Sequence, residues 1–107
     1  EVVRGADLLS STPRQLLLYR LLGWQAPAFY HVPLLLDSAG RRLSKRNADA
    51  GLDTLGERYT AEEILGKLAF LAGFNPSGEP KSGRALLQDF SWERVPRQDI
   101  RIPEGLF

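Results

Sequence analysis

The hydrophobic pattern of the first part of the chain predicts two strands. Residues 1–5 combine two valines with Gly5 and are typical of the end of a strand that turns. Residues 29–36 form a second run rich in β-compatible residues, but Pro33 has no N–H to donate to a sheet. We therefore expect an irregular strand that enters at Val32 and ends near Leu36.

A helix is predicted between these two strands. Thr12 is the expected N-cap, Pro13 fits the first helical position, and Gln15 completes a capping box with Thr12. Residues 16–22 are apolar nearly all round, which predicts a well-buried helix. Gly23 is a suitable C-terminal stop.

The second half of the chain predicts helices. Residues 47–59 are small, polar and glycine-containing, and we expect a loop there. Thr60 and Glu63 form a second capping box that opens a helix over about residues 61–72, which Gly73 ends. One face of this helix carries the apolar residues at spacings of four, seven and eight: Ile64, Leu68, Leu71 and Ala72.

The remaining residues predict only short elements. Residues 74–83 are rich in proline, glycine and serine and are expected to be a linker. Residues 84–90 predict a short helix and residues 91–95 one further turn. Residues 96–107 contain two prolines and predict an extended tail.

Composition excludes several kinds of site. A chain of 107 residues is the size of one small domain, and its net charge of +1 does not suggest a protein that coats nucleic acid. The absence of cysteine excludes disulfides and thiolate chemistry, and a single histidine excludes a multi-histidine metal site. No apolar run approaches the roughly 20 residues needed to span a bilayer, so no membrane partner is expected. Because the chain contains no methionine, we expect that it does not begin at its own initiator residue.

The densest cationic cluster is the run at residues 41–46, which we call the basic loop. Residues 37–40 have turn chemistry and predict a tight hairpin that presents it. Lys45 would supply a mobile positive charge and Ser44 a hydroxyl, both suited to the phosphates of a nucleotide. The alternative is a solvated hairpin tip with ordinary surface cations.

Arg4 and His31 are the other candidates for chemistry. Arg4 stands at the end of the first predicted strand, where open α/β sheets bind ligands, and an arginine there can hold a carboxylate with two parallel hydrogen bonds. The alternative is a structural ion pair with Asp7 or another nearby acid. His31 lies in an apolar run, where a hydrogen-bonded core residue is the more common role.

Three stretches in this order resemble the catalytic domain of a class I aminoacyl-tRNA synthetase of the glutamate type. They are residues 2–15 (VVRGADLLSSTPRQ), residues 31–35 (HVPLL) and residues 42–46 (RLSKR). The last is similar to the KMSKS loop of that family, although it has Arg42 for lysine, Leu43 for methionine and Arg46 for serine; Lys45 agrees with the name-motif. The resemblance points further, to the glutamyl-queuosine tRNA(Asp) synthetases, which are shortened relatives without an anticodon-binding domain.

The resemblance implies an α/β fold, the C-terminal part of a Rossmann-like class I synthetase catalytic domain followed by a small helical region. Residues 1–47 would be the second half of the nucleotide-binding domain with its KMSKS-like loop. Residues 48–107 would be the helical region and tail. An N-terminal half with the HIGH signature is then expected to be missing, and the fragment alone to be inactive.

The implied reaction joins glutamate to ATP, assisted by magnesium, and passes the glutamyl group to the queuosine base of tRNA(Asp). Arg4 would bind glutamate and Lys45 would be the catalytic contact to the ATP phosphates. Four further residues are implied at the ATP site: Arg42, Ser44, His31 and Leu34, the last two near adenine. Zinc is implied only for the missing N-terminal part, and the location is expected to be cytoplasmic.

Two other functions stay open at this point. One is a glutamyl-tRNA synthetase that charges tRNA(Glu), because it shares all three motifs. The other is a non-catalytic RNA-binding module, in which the basic loop acts together with four further cations: Arg58, Lys67, Lys81 and Arg84. A scaffold domain whose motifs are coincidental is an alternative to all of these functions.

Overall fold

A computed structural model describes residues 1–43 and 51–107. Within these residues it has four short strands: β1 (Val2–Gly5), β2 (Phe29–Val32), β3 (Leu35–Leu36) and β4 (Ile100–Arg101). The same residues form four α-helices: α1 (Thr12–Leu21), α2 (Leu52–Gly56), α3 (Ala61–Leu71) and α4 (Gly83–Gln88). Two 3-10 helices, Ala6–Ser11 and Trp92–Arg94, complete the described elements.

Strands β1 and β2 pair in parallel, with Val2 opposite Phe29 and Arg4 opposite His31. Two parallel neighbours need a crossover connection, and α1 with the 3-10 helix before it provides one. The expected first strand is confirmed. The second strand begins earlier than predicted and is interrupted after Val32, where Pro33 cannot donate to a ladder.

The predicted capping box at the start of α1 is wrong. Ser11 occupies the cap position without a side-chain cap, Thr12 is already helical, and Pro13 is therefore the second helical residue. The side-chain oxygens of Thr12 and Gln15 instead accept hydrogen bonds from the guanidinium of Arg4. The predicted stop is confirmed, because Gly23 has a φ of 69°. Its N–H and that of Trp24 donate back to the last turn of the helix.

The predicted burial of α1 is also wrong. No residue of α1 is buried, and Leu21 is 73% exposed. A helix that is apolar nearly all round needs packing surfaces on several sides. Within the described residues the two-stranded β1–β2 ribbon lies beside α1 without enclosing it.

The tail contains a strand that its sequence did not predict. Strand β4 pairs in parallel with β3, with Leu35 opposite Ile100 and Leu36 opposite Arg101. The carboxylate of Asp99 also accepts a hydrogen bond from the Leu34 N–H at 2.9 Å. The end of the chain thus holds the strand that leads directly into the hairpin at residues 37–40.

The helical region has a small core. The predicted α3 and its capping box are confirmed, since Thr60 accepts from the Glu63 N–H and Glu63 accepts from the Thr60 N–H. The predicted loop at residues 47–59 is wrong where the structure describes it, because α2 forms there and buries Leu55. Among the residues that the structure describes, Leu55 joins Ile64 and Ala69 as the buried apolar residues.

The predicted linker at residues 74–83 packs closely on α3. Asn75 is 1% exposed, and its Nδ2 donates to the carbonyl oxygens of Gly66 at 3.1 Å and Glu79 at 2.8 Å. The predicted short helix after it is confirmed as α4, and the predicted further turn as the 3-10 helix at Trp92–Arg94. Trp92 stacks on Tyr30 of β2 with ring centroids 4.5 Å apart, which connects the helical region to the first sheet.

No helix in the described ranges is long and apolar enough to cross a membrane.

Candidate functional site: the arginine cluster and the basic loop

Arg4 is the centre of a polar cluster built by β1, β2 and α1. Its Nε donates to Nε2 of His31 at 3.1 Å, across the β1–β2 pair. Its Nη2 donates to the Thr12 hydroxyl at 2.8 Å, and its Nη1 donates to the side-chain carbonyl of Gln15. The guanidinium carbon also lies 4.6 Å from the ring centroid of Phe29. We call these five residues, Arg4, Thr12, Gln15, Phe29 and His31, the arginine cluster.

The partners of Arg4 are all neutral. The alternative of an ion pair with Asp7 is wrong, because the Asp7 carboxylate pairs instead with Arg42. Among residues 1–43 and 51–107, no carboxylate lies within the 4.0 Å ion-pair distance of Arg4. The cluster therefore holds Arg4 without neutralising its charge.

The three side-chain partners of Arg4 do not use all the N–H groups of its guanidinium. A guanidinium has five N–H groups, and the bonds to His31, Gln15 and Thr12 use three of them. One N–H remains on each terminal nitrogen. The Leu8 carbonyl, at 3.5 Å from Nη2, is too distant for a strong hydrogen bond. Two N–H groups on neighbouring nitrogens match the two oxygens of a carboxylate.

His31 is partly buried and serves as a hydrogen-bond partner. Because the arginine Nε–H can only donate, Nε2 of His31 must accept, so the proton of the neutral ring is assigned to Nδ1. The Thr12 hydroxyl lies 3.4 Å from the same Nε2. The interpretation as a hydrogen-bonded structural residue describes this side chain well, while the implied contact with adenine stays a prediction.

Arg42 lies at the start of the basic loop and pairs with Asp7. Its Nη1 is 2.9 Å from the Asp7 Oδ2. Gly5 makes room for this carboxylate, since a Cβ there would lie 2.5 Å from the Asp7 Oδ1. The ion pair therefore links the segment that follows Arg4 to the beginning of the basic loop.

The predicted hairpin before the basic loop is confirmed. The Asp37 N–H donates to the Arg41 carbonyl at 2.8 Å, and Leu36 forms an antiparallel bridge with Arg42. Gly40, with a φ of 83°, closes the turn. The Asp37 carboxylate accepts from the Arg41 N–H and side chain, and these contacts lower the pKa of Asp37. Ser44 and Lys45 lie outside the described residues, so their implied roles stay predictions.

Leu34 is held through its main chain. Its N–H donates to Asp99 and its carbonyl accepts from the Ile100 N–H, both at 2.9 Å. A main-chain contact to adenine at Leu34 would therefore have to share or replace these bonds, and the implied role of Leu34 stays a prediction.

Lys67, one of the cations named for the RNA-binding alternative, makes contacts within the fold. The Lys67 Nζ donates to the Leu106 carbonyl at 2.7 Å. It also lies 5.1 Å from the Tyr59 ring centroid and 6.0 Å from that of Phe107. An RNA backbone would have to compete with these contacts for Lys67.

Comparison with known proteins decides the family. Residues 1–89 match the family described as tRNA synthetases class I (E and Q), catalytic domain. The chain belongs to this family. The resemblance found in the three sequence stretches is thereby confirmed at the level of the family.

Related proteins in this class I family carry two names. The chain is 47% identical to the glutamyl-Q tRNA(Asp) synthetase of Symbiobacterium thermophilum over 103 residues, 95% of this chain and 32% of that protein. It is 42% identical to the glutamate–tRNA ligase of Prosthecochloris aestuarii over 98 residues, 88% of this chain and 20% of that protein. The chain thus spans a third or less of the length of these relatives.

A solved structure in the same family supports the α/β fold. The glutamate tRNA ligase of Elizabethkingia meningosepticum, crystallised in complex with its amino acid, superposes with a TM-score of 0.73 at 25% identity. The alignment covers 98% of this chain and 25% of that protein. The expected α/β class is confirmed, while the Rossmann-like placement and the domain division at residue 47 stay predictions.

The sequence does not predict the residues that surround Arg4. Thr12 and Gln15 have the spacing of a helix cap, because a threonine followed three residues later by a glutamine is a capping signal. The same spacing places both side chains on one helix face, which is how both reach one guanidinium. Nothing in the local sequence distinguishes these two uses.

Proposed function

We propose that this chain is the C-terminal half of a Rossmann-like catalytic domain that activates glutamate with ATP and transfers it to the queuosine base of tRNA(Asp). The N-terminal half with the HIGH signature is expected in the same protein, and the fragment alone is expected to be inactive. The observation that carries the proposal is the uncompensated guanidinium of Arg4, held by neutral partners.

Arg4 has the properties that recognition of a glutamate carboxylate requires. A charged donor binds a carboxylate more strongly than it binds a neutral amide, and a bidentate pair fixes its orientation. An arginine already paired with an acid would offer neither advantage. The contacts from His31, Gln15 and Thr12 also fix the guanidinium before a ligand arrives, which lowers the entropy cost of binding.

The basic loop is proposed to bind the ATP phosphates. The α-carboxylate of glutamate attacks the α-phosphate, the bond to the β-phosphate oxygen breaks, and pyrophosphate leaves with its electron pair. Negative charge grows on the phosphoryl oxygens, so Lys45 placed there stabilises the transition state more than the ground state. Arg42 and Ser44 are proposed to support the loop, and His31 and Leu34 to lie near adenine.

Magnesium is proposed to enter with ATP. Among the described residues there is no group of three or more histidine, aspartate or glutamate side chains arranged to hold a metal ion. Magnesium commonly keeps several waters and binds through substrate phosphates with few protein ligands, which fits this donor set. Zinc is proposed only for the part of the protein that precedes Glu1.

The choice of tRNA(Asp) as acceptor rests on the names of the relatives. Identity is higher with the glutamyl-Q tRNA(Asp) synthetase of Symbiobacterium thermophilum than with the glutamate–tRNA ligase of Prosthecochloris aestuarii. The alternative is a glutamyl-tRNA synthetase that charges tRNA(Glu). A cytoplasmic location stays a prediction.

Activation is tested by glutamate-dependent ATP–pyrophosphate exchange in the complete enzyme. We expect Lys45→Ala to lower kcat by about 100-fold or more, as for other lost contacts to a developing charge. We expect Arg4→Lys to raise KM for glutamate by about 10- to 100-fold, because charge is kept but the bidentate contact is lost. Arg20→Lys, on the exposed surface of α1, is the matched control. Unchanged kinetics in both test variants would overturn the proposal.

The acceptor is tested separately with radiolabelled glutamate and two tRNAs. Transfer to queuosine-containing tRNA(Asp), and not to the same tRNA lacking queuosine, would support the proposed acceptor. Transfer to tRNA(Glu) alone would establish the alternative. The activation step is common to both, so the two experiments separate the amino acid from the acceptor.

A further inference from the structure

Gln15 is the residue of α1 that meets Arg4 most directly. It is the fourth residue of the helix, and its side-chain carbonyl accepts a hydrogen bond from the Arg4 Nη1. Thr12, one turn earlier on the same face, accepts from Nη2 of the same guanidinium. The first turn of α1 thus contacts both terminal nitrogens of Arg4.

The chemical nature of Gln15 matters more than its shape. A glutamate at this position would have nearly the same size and could accept the same hydrogen bond. It would also bring a full negative charge into contact with Arg4, and an opposite charge within hydrogen-bond distance offsets most of the attraction for a second anion. A glutamine holds the guanidinium in the same position without offsetting its positive charge.

We propose that Gln15 is a positioning residue: it holds the Arg4 guanidinium in place and, because it is neutral, leaves the charge of Arg4 uncompensated, so that the site prefers a carboxylate ligand over an amide. The inference rests on the proposed role of Arg4 in binding glutamate. On this inference the preference for glutamate depends on Gln15 as well as on Arg4. A single change at position 15, from the amide of glutamine to the carboxylate of glutamate, would then turn an acid-selective site into an unselective one.

The surroundings allow a ligand to reach this pair. Arg4 and Gln15 both line an open cavity of about 370 Å³ between α1 and the β1–β2 ribbon, together with Tyr19, Trp24 and Phe29. This volume is within the range of small-molecule sites, which run from about 300 Å³ upward. Arg4 is the charged residue of this lining and Gln15 contacts its guanidinium, so a charge change at Gln15 would act directly on any ligand that Arg4 binds.

The test compares Gln15→Glu with Gln15→Leu in the complete enzyme. Exchange kinetics are measured with glutamate and with glutamine as the amino acid. We expect Gln15→Glu to raise KM for glutamate by about 10-fold or more, with a much smaller change in kcat. The preference, measured as kcat/KM for glutamate divided by kcat/KM for glutamine, should fall by a similar factor. Gln15→Leu removes the acceptor without adding charge, so it should raise KM for glutamate while the preference for glutamate is largely kept.

A matched control and the foldedness of each variant complete the design. Gln88→Glu makes the same charge change at the exposed end of α4 and should leave both KM values unchanged. Thermal unfolding identifies a variant that does not fold. Where this is Gln15→Glu, the test rests on KM for glutamate in Gln15→Leu, which keeps good helix propensity: a raised KM supports the positioning role and an unchanged KM overturns it.

Three outcomes are distinguishable. A lowered preference in Gln15→Glu together with a kept preference in Gln15→Leu supports the inference. An active wild-type enzyme whose preference is the same in Gln15→Glu, or falls equally in both variants, overturns it and leaves the proposed function standing. A wild-type enzyme that shows no glutamate-dependent exchange overturns the proposed function and this inference with it.

Discussion

The Asp7 carboxylate lies 2.9 Å from the guanidinium of Arg42 and joins the segment after β1 to the start of the basic loop. The two residues are 35 positions apart in the chain. Asp7 follows Arg4 by three residues, and Arg42 precedes Lys45 by three. The ion pair therefore ties together the two segments to which the proposed function assigns glutamate and ATP.

This ion pair is predicted to contribute little to stability. The Arg42 side chain is 67% exposed and that of Asp7 is 27% exposed, so solvent screens their attraction. A double-mutant cycle with Asp7→Asn and Arg42→Gln, measured by urea unfolding, should give a coupling energy of about 0.2–1 kcal/mol that shrinks at high salt. A coupling above about 2 kcal/mol, unaffected by salt, would contradict this reading of the pair.

Gly66 is predicted to be intolerant of any side chain. A Cβ there would lie 2.1 Å from the Glu79 carbonyl oxygen and 2.8 Å from its carbon, and both are main-chain atoms that cannot rotate away. Gly66→Ala should therefore destabilise the protein by about 1–3 kcal/mol or more, despite the better helix propensity of alanine. Thermal unfolding measures the effect.

Gly56 provides the matched control for this substitution. It lies in α2, and a Cβ there would meet nothing within 4 Å. Gly56→Ala should be neutral or stabilise by about 0.4–1 kcal/mol. Equal effects at the two glycines would mean that the contact between α3 and residue 79 is not close in solution.

Asn75 is predicted to be the most sensitive polar residue of the helical region. Its Nδ2 donates to two main-chain carbonyls, and its Oδ1 accepts from Ser77 at 3.2 Å. Asn75→Leu removes both donated bonds in a buried site, and unsatisfied buried acceptors cost about 1–3 kcal/mol each. We expect a loss of at least about 2 kcal/mol in urea unfolding. Ser77→Ala, which removes only the third bond, should cost about 1 kcal/mol or less.

The capping box of α3 is predicted to make stability depend on pH. The Thr60 N–H and hydroxyl hold the pKa of Glu63 below its ordinary value of 4.5. Since the folded pKa is the lower one, the contribution of Glu63 is present above about pH 4.5 and is lost as the pH falls through the folded value. Melting temperatures from pH 7 down to pH 3 should therefore fall less steeply in Glu63→Gln than in the wild type.

Two variants separate the cap from general acid effects. Glu62→Gln, at the neighbouring exposed position, should keep the wild-type pH profile. Thr60→Ala should cost about 1 kcal/mol at neutral pH and should also flatten the profile, because it removes a bond that lowers the Glu63 pKa. Some acid sensitivity remains in every variant, because the pKa values of Asp37 and Glu93 are lowered as well. Parallel profiles for wild type and Glu63→Gln would contradict the prediction.

Two parts of the candidate site follow from the sequence alone, namely the position of Arg4 and the hairpin before the basic loop. Arg4 was placed correctly at the end of a strand, and the hairpin before the basic loop was predicted from its turn residues. The neighbours of Arg4 could not be predicted, because Gln15 and Thr12 carry a pattern that a helix cap would also produce. The competing partner, Asp7, is nearer in sequence yet pairs with Arg42.

By itself, the sequence determined those features that depend on neighbours within a few residues. These include the stop of α1 at Gly23, the capping box of Thr60 and Glu63, and the turn at residues 37–40. Each is decided by main-chain dihedral preferences and short-range hydrogen bonds, which the local residue types specify. The family, too, was readable from three short stretches of residues.

Only the tertiary structure decided what depends on distant residues. It paired Leu35 with Ile100, 65 positions later, and so brought the tail beside the strand that leads to the basic loop. It left the apolar helix α1 exposed, with Leu21 73% accessible, and gave Arg4 three neutral partners from two other elements. Strand pairing and side-chain burial between residues so far apart depend on the packing of the whole chain, because the sequence of one segment does not specify which other segments pack against it.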